Sequence, residues 1–468
     1  MRIIAGPMHD LPGLPIMAPD NERPLHANLE RSLDKALAIA AGRIAMASSR
    51  RGKLQQAIGT LLRASGVRAD VGELCRLVDP RTGFEIRAEV VGFERDVLIL
   101  SPMGTLEGLG SGTQVIATGE RHRVRVGDFL RGRVVDGMGE RFIDGGVAMP
   151  DSGPTRAVAA AAPDALSRRP IDQVLPVGVR AIDGLLTCGV GQRIGIFAPA
   201  GCGKSTLLSM MCRHAQVDVV VVALVGERGR EVGDFIHEAL DEHARSKAVL
   251  VVATSDRPAT ERLKAAMVAT TYAEHFAAQG HRVLLLVDSI TRFARAAREI
   301  GLAAGEPPAR RGFPPSVFAA LPPLFERTGL FANGSVTAFY TVLEETDDGA
   351  DPVSEEVRSL LDGHIVLSRK LAGAGHFPAI DVLASASRLF ERLVDSSHAA
   401  DARRVRELMS KFNEVEILLR IGEYQRGTDH VADVAVERRS AIDAFLRQSR
   451  GRAPHLDEAI QELRELVR

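Results

Sequence analysis

The sequence predicts a three-part α/β protein: a small all-β domain, a central core on a parallel sheet, and a helical end. Three observations predict it. Short β-like runs broken by turn residues fill residues 55–125, as in "FEIRAEVVGFERDVLIL" and "GTQVIATGERHRVRVGDFL". Longer apolar runs then alternate with helix-like segments: "RIGIF", "DVVVVALVG", "AVLVVATS", "RVLLLVDS", "SVTAFYTVL" and "GHIVLS". That alternation is the pattern of parallel strands covered on both faces. Beyond Arg388 the strand pattern stops, and charged amphipathic segments such as "ARRVRELMSKFNEVEILLRI" and "HLDEAIQELRELVR" take over.

Taken in order, residues 1–54 form an amino-terminal extension that is partly helical, with Leu25, Leu29, Leu33 and Leu37 recurring every fourth residue. Such a stripe packs on its own domain or a neighbouring subunit, or docks on a membrane surface or partner; the spacing fits each. Residues 55–125 make a β-barrel or sandwich. A Pro/Ala-rich connection, "PTRAVAAAAPDALSRRP", lies inside the next segment, residues 126–388, which is the α/β core. Residues 389–468 make the helical domain. "MRIIAGPMHDLPGLP" lacks the apolar centre of a secretory leader, and no stretch approaches the roughly 18 apolar residues that span a bilayer.

Composition narrows the function. With 45% hydrophobic and 25% charged residues the chain is an ordinary globular protein, and its 468 residues suffice for several cores. A net charge of -1, no Trp and three Tyr leave little for phosphate-backbone attraction or base stacking, so no nucleic-acid partner is expected. Cys75, Cys188, Cys202 and Cys212 form no C-x-x-C pair, which fits reduced thiols in the cytoplasm and neither a disulfide framework nor a zinc site.

The chemistry concentrates at "FAPAGCGKST", residues 197–206, a phosphate-binding loop whose first glycine is replaced by Ala198. "RIGIF" supplies the strand before it and "STLLSMM" the helix after it, so the backbone N–H groups of Gly203, Lys204 and Ser205 point at a phosphate from the positive end of the helix. Gly201 and Gly203 permit the tight turn, Lys204 reaches the outer phosphates, Ser205 places its hydroxyl on Mg2+, and Cys202 and Thr206 complete the loop. Ala198 lies farthest from these donors. Cys202, beside Lys204 and a helix start, has the setting of a reactive thiolate; the alternative is an inert small residue that fits the turn. Asp288, ending "LLLVD", is placed to hold metal-bound water, and Glu227, in "ALVGERGRE", to deprotonate an attacking water. Arg228 and Arg292 follow these acids closely enough to neutralise phosphate charge or to form structural ion pairs.

"PVGVRAIDGLLTCGVGQRIGIFAPAGCGKSTLL", "GERGREV", "DSITRFARAAREIGLAAGEPPARRGFPPSVFAALPPLFERTG" and "SLLDGHIVLSRKL" together resemble the export ATPases of bacterial type III secretion, relatives of the flagellar export ATPase and of the catalytic subunit of rotary ATP synthases. The resemblance covers residues 55–440, and "PAGCGKS" with "RIGEYQRG" is more similar to the virulence-type injectisome enzyme than to its flagellar sister. It implies a P-loop core of RecA type between a small β-barrel and a helical domain, hydrolysing ATP with Mg2+, and it tolerates the missing first glycine. It further implies a homohexamer around a central stalk protein, a regulatory stator protein, chaperone–substrate complexes and a membrane-associated export gate as partners. On this basis the enzyme is cytoplasmic and peripheral at the inner membrane. The family pattern matches Glu227 to the catalytic carboxylate and places Arg228 and Arg292 near the γ-phosphate. It matches Tyr340 to the aromatic that packs on adenine, Arg388 to an arginine finger given to the neighbouring subunit, and "GEPPARRGFPPS" to a rigid loop that bears on the stalk.

Overall fold

The computed structural model describes residues 50–344 and 351–468. The leucine stripe from Leu25 to Leu37 lies outside the described residues.

Six strands close the barrel: β1 (Arg51–Ile58), β2 (Leu61–Ser65), β3 (Glu73–Val78), β4 (Glu85–Glu94), β5 (Val97–Pro102) and β6 (Gln114–Arg121), in the order β1-β2-β5-β4-β3-β6. Closure removes every free edge, and Leu62, Cys75, Leu77, Val90, Leu100 and Val115 fill the interior. The first strand starts at Arg51, inside the stretch that the sequence reading gave to the extension. Turn residues alone do not mark that start, because the run "RGKLQQAI" has the polarity of a solvent-facing strand.

A ribbon of β7 (Arg123–Arg125) and β9 (Thr155–Ala157) leads out of the barrel, with β8 (Val134–Asp136) between them joining the far edge of the core sheet. That sheet holds β10 (Arg193–Ala198), β11 (Val219–Val225), β12 (Ala248–Ala253), β13 (Arg282–Asp288), β15 (Ser335–Leu343) and β16 (Gly363–Leu367), all parallel to their neighbours. Two short-range additions run antiparallel, β14 (Gly329–Leu330) on β15 and β17 (Ile380–Ser387) on β16. The spatial order is β17-β16-β10-β15-β13-β11-β12-β8.

Each core strand reads as a continuous apolar run because both of its faces are covered. In β11, Val220, Val222 and Leu224 face one core while Val219, Val221, Ala223 and Val225 face the other. Helices α1 (Lys204–His214), α2 (Ala259–Ala278), α3 (Ile290–Ala303) and α4 (Pro315–Phe325) supply those coverings. The segment "REVGDFIHEALDEHARS", which the sequence suggests as a helix, is broken. Helix Gly229–Asp234 passes through a wider turn at Phe235–Ala239, and a separate helix covers Glu242–Ser246.

Three helices end the chain: α5 (Ser396–Ile421), α6 (His430–Leu446) and α7 (Leu456–Val467). Asp395 caps α5 by accepting from the His398 N–H at 2.8 Å, and Gly422 stops it with φ at +77°. Val405 and Leu408 of α5, Ile442 and Phe445 of α6 and Leu463 of α7 bury in the same core as one face of the sheet. The helical domain is thereby continuous with the face of the sheet that α1 covers. The barrel is tied on by Lys264, buried on α2, whose Nζ pairs with Glu89 Oε1 at 2.7 Å.

Candidate active site

Four neighbouring parallel strands, β10, β15, β13 and β11, end on the same side of the sheet, and their ends carry the phosphate loop, Thr341, Asp288 and Glu227. Ligands bind beyond the carboxyl ends of parallel strands because loops there are free to carry chemistry on a rigid support. Ala198 is still strand, pairing with Leu343 and fully buried. Glycine is not needed there, since the chain turns left-handed only at Gly201 (φ +81°) and Gly203 (φ +83°). Lys204 opens α1 directly afterwards.

The Lys204 ammonium sits between two carboxylates, 2.5 Å from Asp288 Oδ1 and 3.6 Å from Glu227 Oε1. Asp288 is buried and also accepts from the Thr341 hydroxyl at 2.8 Å. Arg292, in the first turn of α3, places Nη2 3.1 Å from Glu227 Oε2 and donates through Nη1 to the Gly226 carbonyl. Gly226 has φ +67°, and a Cβ there would stand 3.1 Å from the Arg292 Cδ, so a small residue lets the guanidinium pass. Burial first and the Asp288 charge second push Glu227 up to about 7, against the pull of Lys204 and Arg292. Among the described residues its buried Oε1 has no hydrogen-bond partner, which leaves an acceptor for one more donor, such as a water.

Two clefts adjoin the loop. One, of about 190 Å³, is lined by Ser205, Thr206, Ser209 and Glu231. The other, of about 450 Å³, is bounded by Gly201, Gly203, Thr206, Met210, Phe377 and Gln448. Phe377 is 42% exposed, unusual for a large aromatic, and a Cβ added to Gly203 would stand 3.4 Å from its ring. Gln448 fixes this wall: its N–H donates to the Phe377 carbonyl at 3.0 Å, and its side chain donates to the Gly178 carbonyl at 2.7 Å and accepts from the Arg180 N–H at 2.9 Å.

The structure therefore brings Gly201, Gly203, Lys204, Ser205, Thr206, Glu227, Asp288 and Arg292 together. It does not bring in four other residues. Tyr340 is fully buried mid-sheet in β15, between Gly195 and Val287, with its ring 4.4 Å from that of Phe325. It cannot reach a base, because strand alternation aims its side chain into the core opposite Phe339. Phe377 is the aromatic beside the loop, and its only sequence signal is a ring before proline in the Gly-rich stretch "GAGHFP". Cys202 is 2% exposed and packs in the core beneath α1, so poor access argues against ready alkylation. Arg228 stands at the N-cap position of the helix Gly229–Asp234, makes no capping hydrogen bond with its side chain, and extends it mostly into solvent, 3.4 Å from Glu231 Oε1. Arg388 is exposed just past β17, and because β17 runs antiparallel it lies at the opposite end of the sheet from its own phosphate loop.

Comparison with known families follows this anatomy. The model of the ATP synthase alpha/beta family nucleotide-binding domain matches residues 178–387, that family's beta-barrel domain matches 54–119, and the T3SS EscN ATPase C-terminal domain matches 394–465. A type 3 secretion system ATPase of Xanthomonas euvesicatoria is 52% identical over 421 residues, covering 90% of this chain and 93% of that protein. The chain belongs to the type III secretion ATPases. A flagellum-specific ATP synthase of Bacillus subtilis is 45% identical over 419 residues, covering 89% of this chain and 95% of that protein. The match to the secretion-type carboxyl-terminal domain and the higher identity favour the secretion branch. The assembled EscN ATPase of enteropathogenic E. coli in complex with its central stalk EscO superposes with a TM-score of 0.82 at 47% identity, covering 89% of this chain and 100% of that one. As a type III secretion ATPase, the chain has the barrel, α/β nucleotide core and helical end that its sequence suggests.

Proposed function

We propose that this ATPase uses Mg2+ and completes each of its sites across the interface of a homohexameric ring, so that hydrolysis is coupled to export. The observation that carries the reading is the cluster of Lys204, Glu227, Asp288 and Arg292 at the ends of adjacent strands. Asp288 and Glu227 stand beside Lys204 where phosphate oxygens would compete for it. Incoming ATP takes the Lys204 ammonium from Asp288 and is cradled by the N–H groups that open α1. Phe377 offers its open face to the base. Ser205 and Asp288 would hold Mg2+, which supplies charge neutralisation on the phosphate oxygens. Among the described residues no group of three or more His, Cys, Asp or Glu forms a ready-made metal cage, which suits an ion held largely by phosphates and water.

Glu227, ionised, takes the proton of the attacking water, and Arg292 holds that carboxylate in place. Charge that spreads over the phosphoryl oxygens meets Lys204 from within and Arg388 from the neighbouring subunit. Arg388 is suited to this because it lies remote from its own loop and is exposed, held by one 3.3 Å hydrogen bond to the Arg358 carbonyl. The exposed Pro307–Arg311 stretch of "GEPPARRGFPPS" then bears on a central stalk, as the EscN–EscO complex supports by analogy. Chaperone release and substrate unfolding at a membrane-associated export gate, under a regulatory stator protein, are the work we assign to the ring. The cytoplasmic face of the inner membrane is the place; among the described residues no helix is long and apolar enough to cross a bilayer.

The test is the ATPase rate against protein concentration, with and without magnesium, and with and without RNA. A magnesium-dependent rate per subunit that climbs with concentration and ignores RNA is expected. A specific rate independent of concentration in monomeric protein, or stimulation by RNA, contradicts it.

A further inference from the structure

Among the described residues, Arg406, on α5, is a charged side chain without a charged partner. Among the described residues no carboxylate lies within ion-pair distance of it. Its guanidinium instead donates to backbone carbonyls: Nη1 to Val382 at 2.9 Å and to Ser385 at 3.5 Å, and Nη2 to Leu185 at 3.0 Å. Taking a guanidinium part-way out of water without a counter-ion is costly, so a residue that only filled space here would be better apolar. What the charge achieves is to join three elements. Val382 and Ser385 belong to β17, Leu185 ends the helix Arg180–Leu185, and Arg406 stands on the first long helix of the carboxyl-terminal domain. The Leu185 carbonyl is at the negative end of its helix, where a cation is favoured. Arginine does this better than lysine because its planar fork reaches several carbonyls in fixed directions.

β17 ends at Ser387, and the next residue is Arg388. Arg388 and Arg406 line one cleft of about 380 Å³ together with Leu185, Ser385, Phe390, Glu391 and Arg403, and Glu391 lies beyond ion-pair distance of the Arg406 guanidinium. The rest of the strand end is fixed from the core side, where Ser387 Oγ donates to the Thr187 carbonyl at 2.9 Å and the Arg388 N–H to the Asp362 carbonyl at 3.0 Å. Arg406 is the tie from the helical domain. We propose that Arg406 is a positioning residue for Arg388: it locks the strand that carries the arginine finger to the carboxyl-terminal helices, so that the finger's reach into the neighbouring site follows that domain's position. The inference rests on the reading that Arg388 acts in the adjacent subunit.

A residue that misplaces the finger lowers turnover and leaves nucleotide binding alone. Arg406→Ala is expected to lower kcat roughly 10- to 100-fold, as ångström-scale misplacement does, with KM within about twofold of wild type. Arg406→Lys, which keeps the charge and one or two carbonyl contacts, is expected to recover part of that loss. Arg406→Gln, an uncharged donor suited to the same carbonyls, supplies a folded variant if Arg406→Ala melts early.

Mixing decides the direction of the effect. In rings of Arg406→Ala (or Arg406→Gln) and Lys204→Ala subunits, the first kind has a sound phosphate loop and the second a sound finger, so activity is expected to rise above that of either alone. Arg388→Ala mixed with Lys204→Ala is run beside it. Recovery in the Arg388 mixture but not in the Arg406 mixture overturns the inference, since Arg406 then serves its own subunit. No recovery in either, with mixed rings shown by crosslinking, removes the in-trans reading and this inference with it. A raised KM at unchanged kcat also overturns it.

Discussion

Replacing Phe377 with alanine separates two candidate aromatics cleanly. The ring stands 3.4 Å from where a Gly203 Cβ would be and is 42% exposed, so one side remains open beside the phosphate loop. Stacking a base on an aromatic contributes about 1–3 kcal/mol, which at 1.4 kcal/mol per tenfold is a roughly 5- to 140-fold loss of affinity. Stacking acts about equally in the ground and transition states, so Phe377→Ala should raise KM by that factor and change kcat little. Tyr340 provides the contrast. Its side chain is fully buried against Phe325, and Tyr340→Ala should cost about 3–5 kcal/mol of stability by opening a cavity. Tyr340→Leu, which keeps most of the volume and loses the aromatic face, should leave KM unchanged. Steady-state kinetics, fluorescent-nucleotide titration and thermal melts on the three variants give the answer. If Tyr340→Leu raises KM while Phe377→Ala does not, the placement of the base is wrong.

Glu227→Gln should keep ATP binding and lose at least about 100-fold in turnover, as expected when a general base is removed; near-normal turnover would take Glu227 out of that role. Burial and Asp288 push Glu227 up to about 7, and the base works only when ionised, so kcat/KM should fall as pH drops through about 7. A profile flat from pH 8 to pH 5.5 contradicts this. His122 is buried, with Nε2 2.9 Å from the Met138 carbonyl, and burial lowers it to about 4. The unfolded chain takes up a proton near pH 6.5 that the folded protein refuses until about pH 4. Stability should therefore fall by up to about 3 kcal/mol across that window, and His122→Gln should flatten the fall in urea midpoints.

The sheet was legible because buried parallel strands leave unbroken apolar runs such as "DVVVVALV", which cannot be placed elsewhere without exposing both faces. The phosphate loop, Glu227 and Asp288 were legible because each is a polar break directly after such a run. Tyr340 shows where this reasoning stops. The family pattern assigns it to the site, but the face it takes depends on register with Gly195 and Val287, a three-dimensional fact. Phe377 carried the opposite difficulty: it follows no strand and belongs to no periodic face, so only the fold brings it to Gly203. Arg228 and Arg292 both follow an acid closely in sequence, yet Arg292 lies in the first turn of α3 and points back to Glu227, while Arg228 precedes a helix and faces water. The sequence reads the following segment as one helix, whereas the fold ends it after Asp234 and widens the turn from Phe235, so proximity in sequence did not decide which arginine faces the cluster.

The central claim is that each site is finished by a neighbouring subunit, and complementation between two dead variants tests it most directly. Arg388→Ala should bind ATP almost normally and hydrolyse it poorly, since an arginine finger contributes about 1,000-fold or more in related phosphoryl transfers. Lys204→Ala should be inactive for want of a phosphate ligand. Mixed, they form interfaces with an intact loop on one side and an intact Arg388 on the other, and activity should return in part and rise with total concentration. A mixture that stays inactive while crosslinking shows mixed rings, or an Arg388 effect reproduced in strictly monomeric protein, would contradict the account.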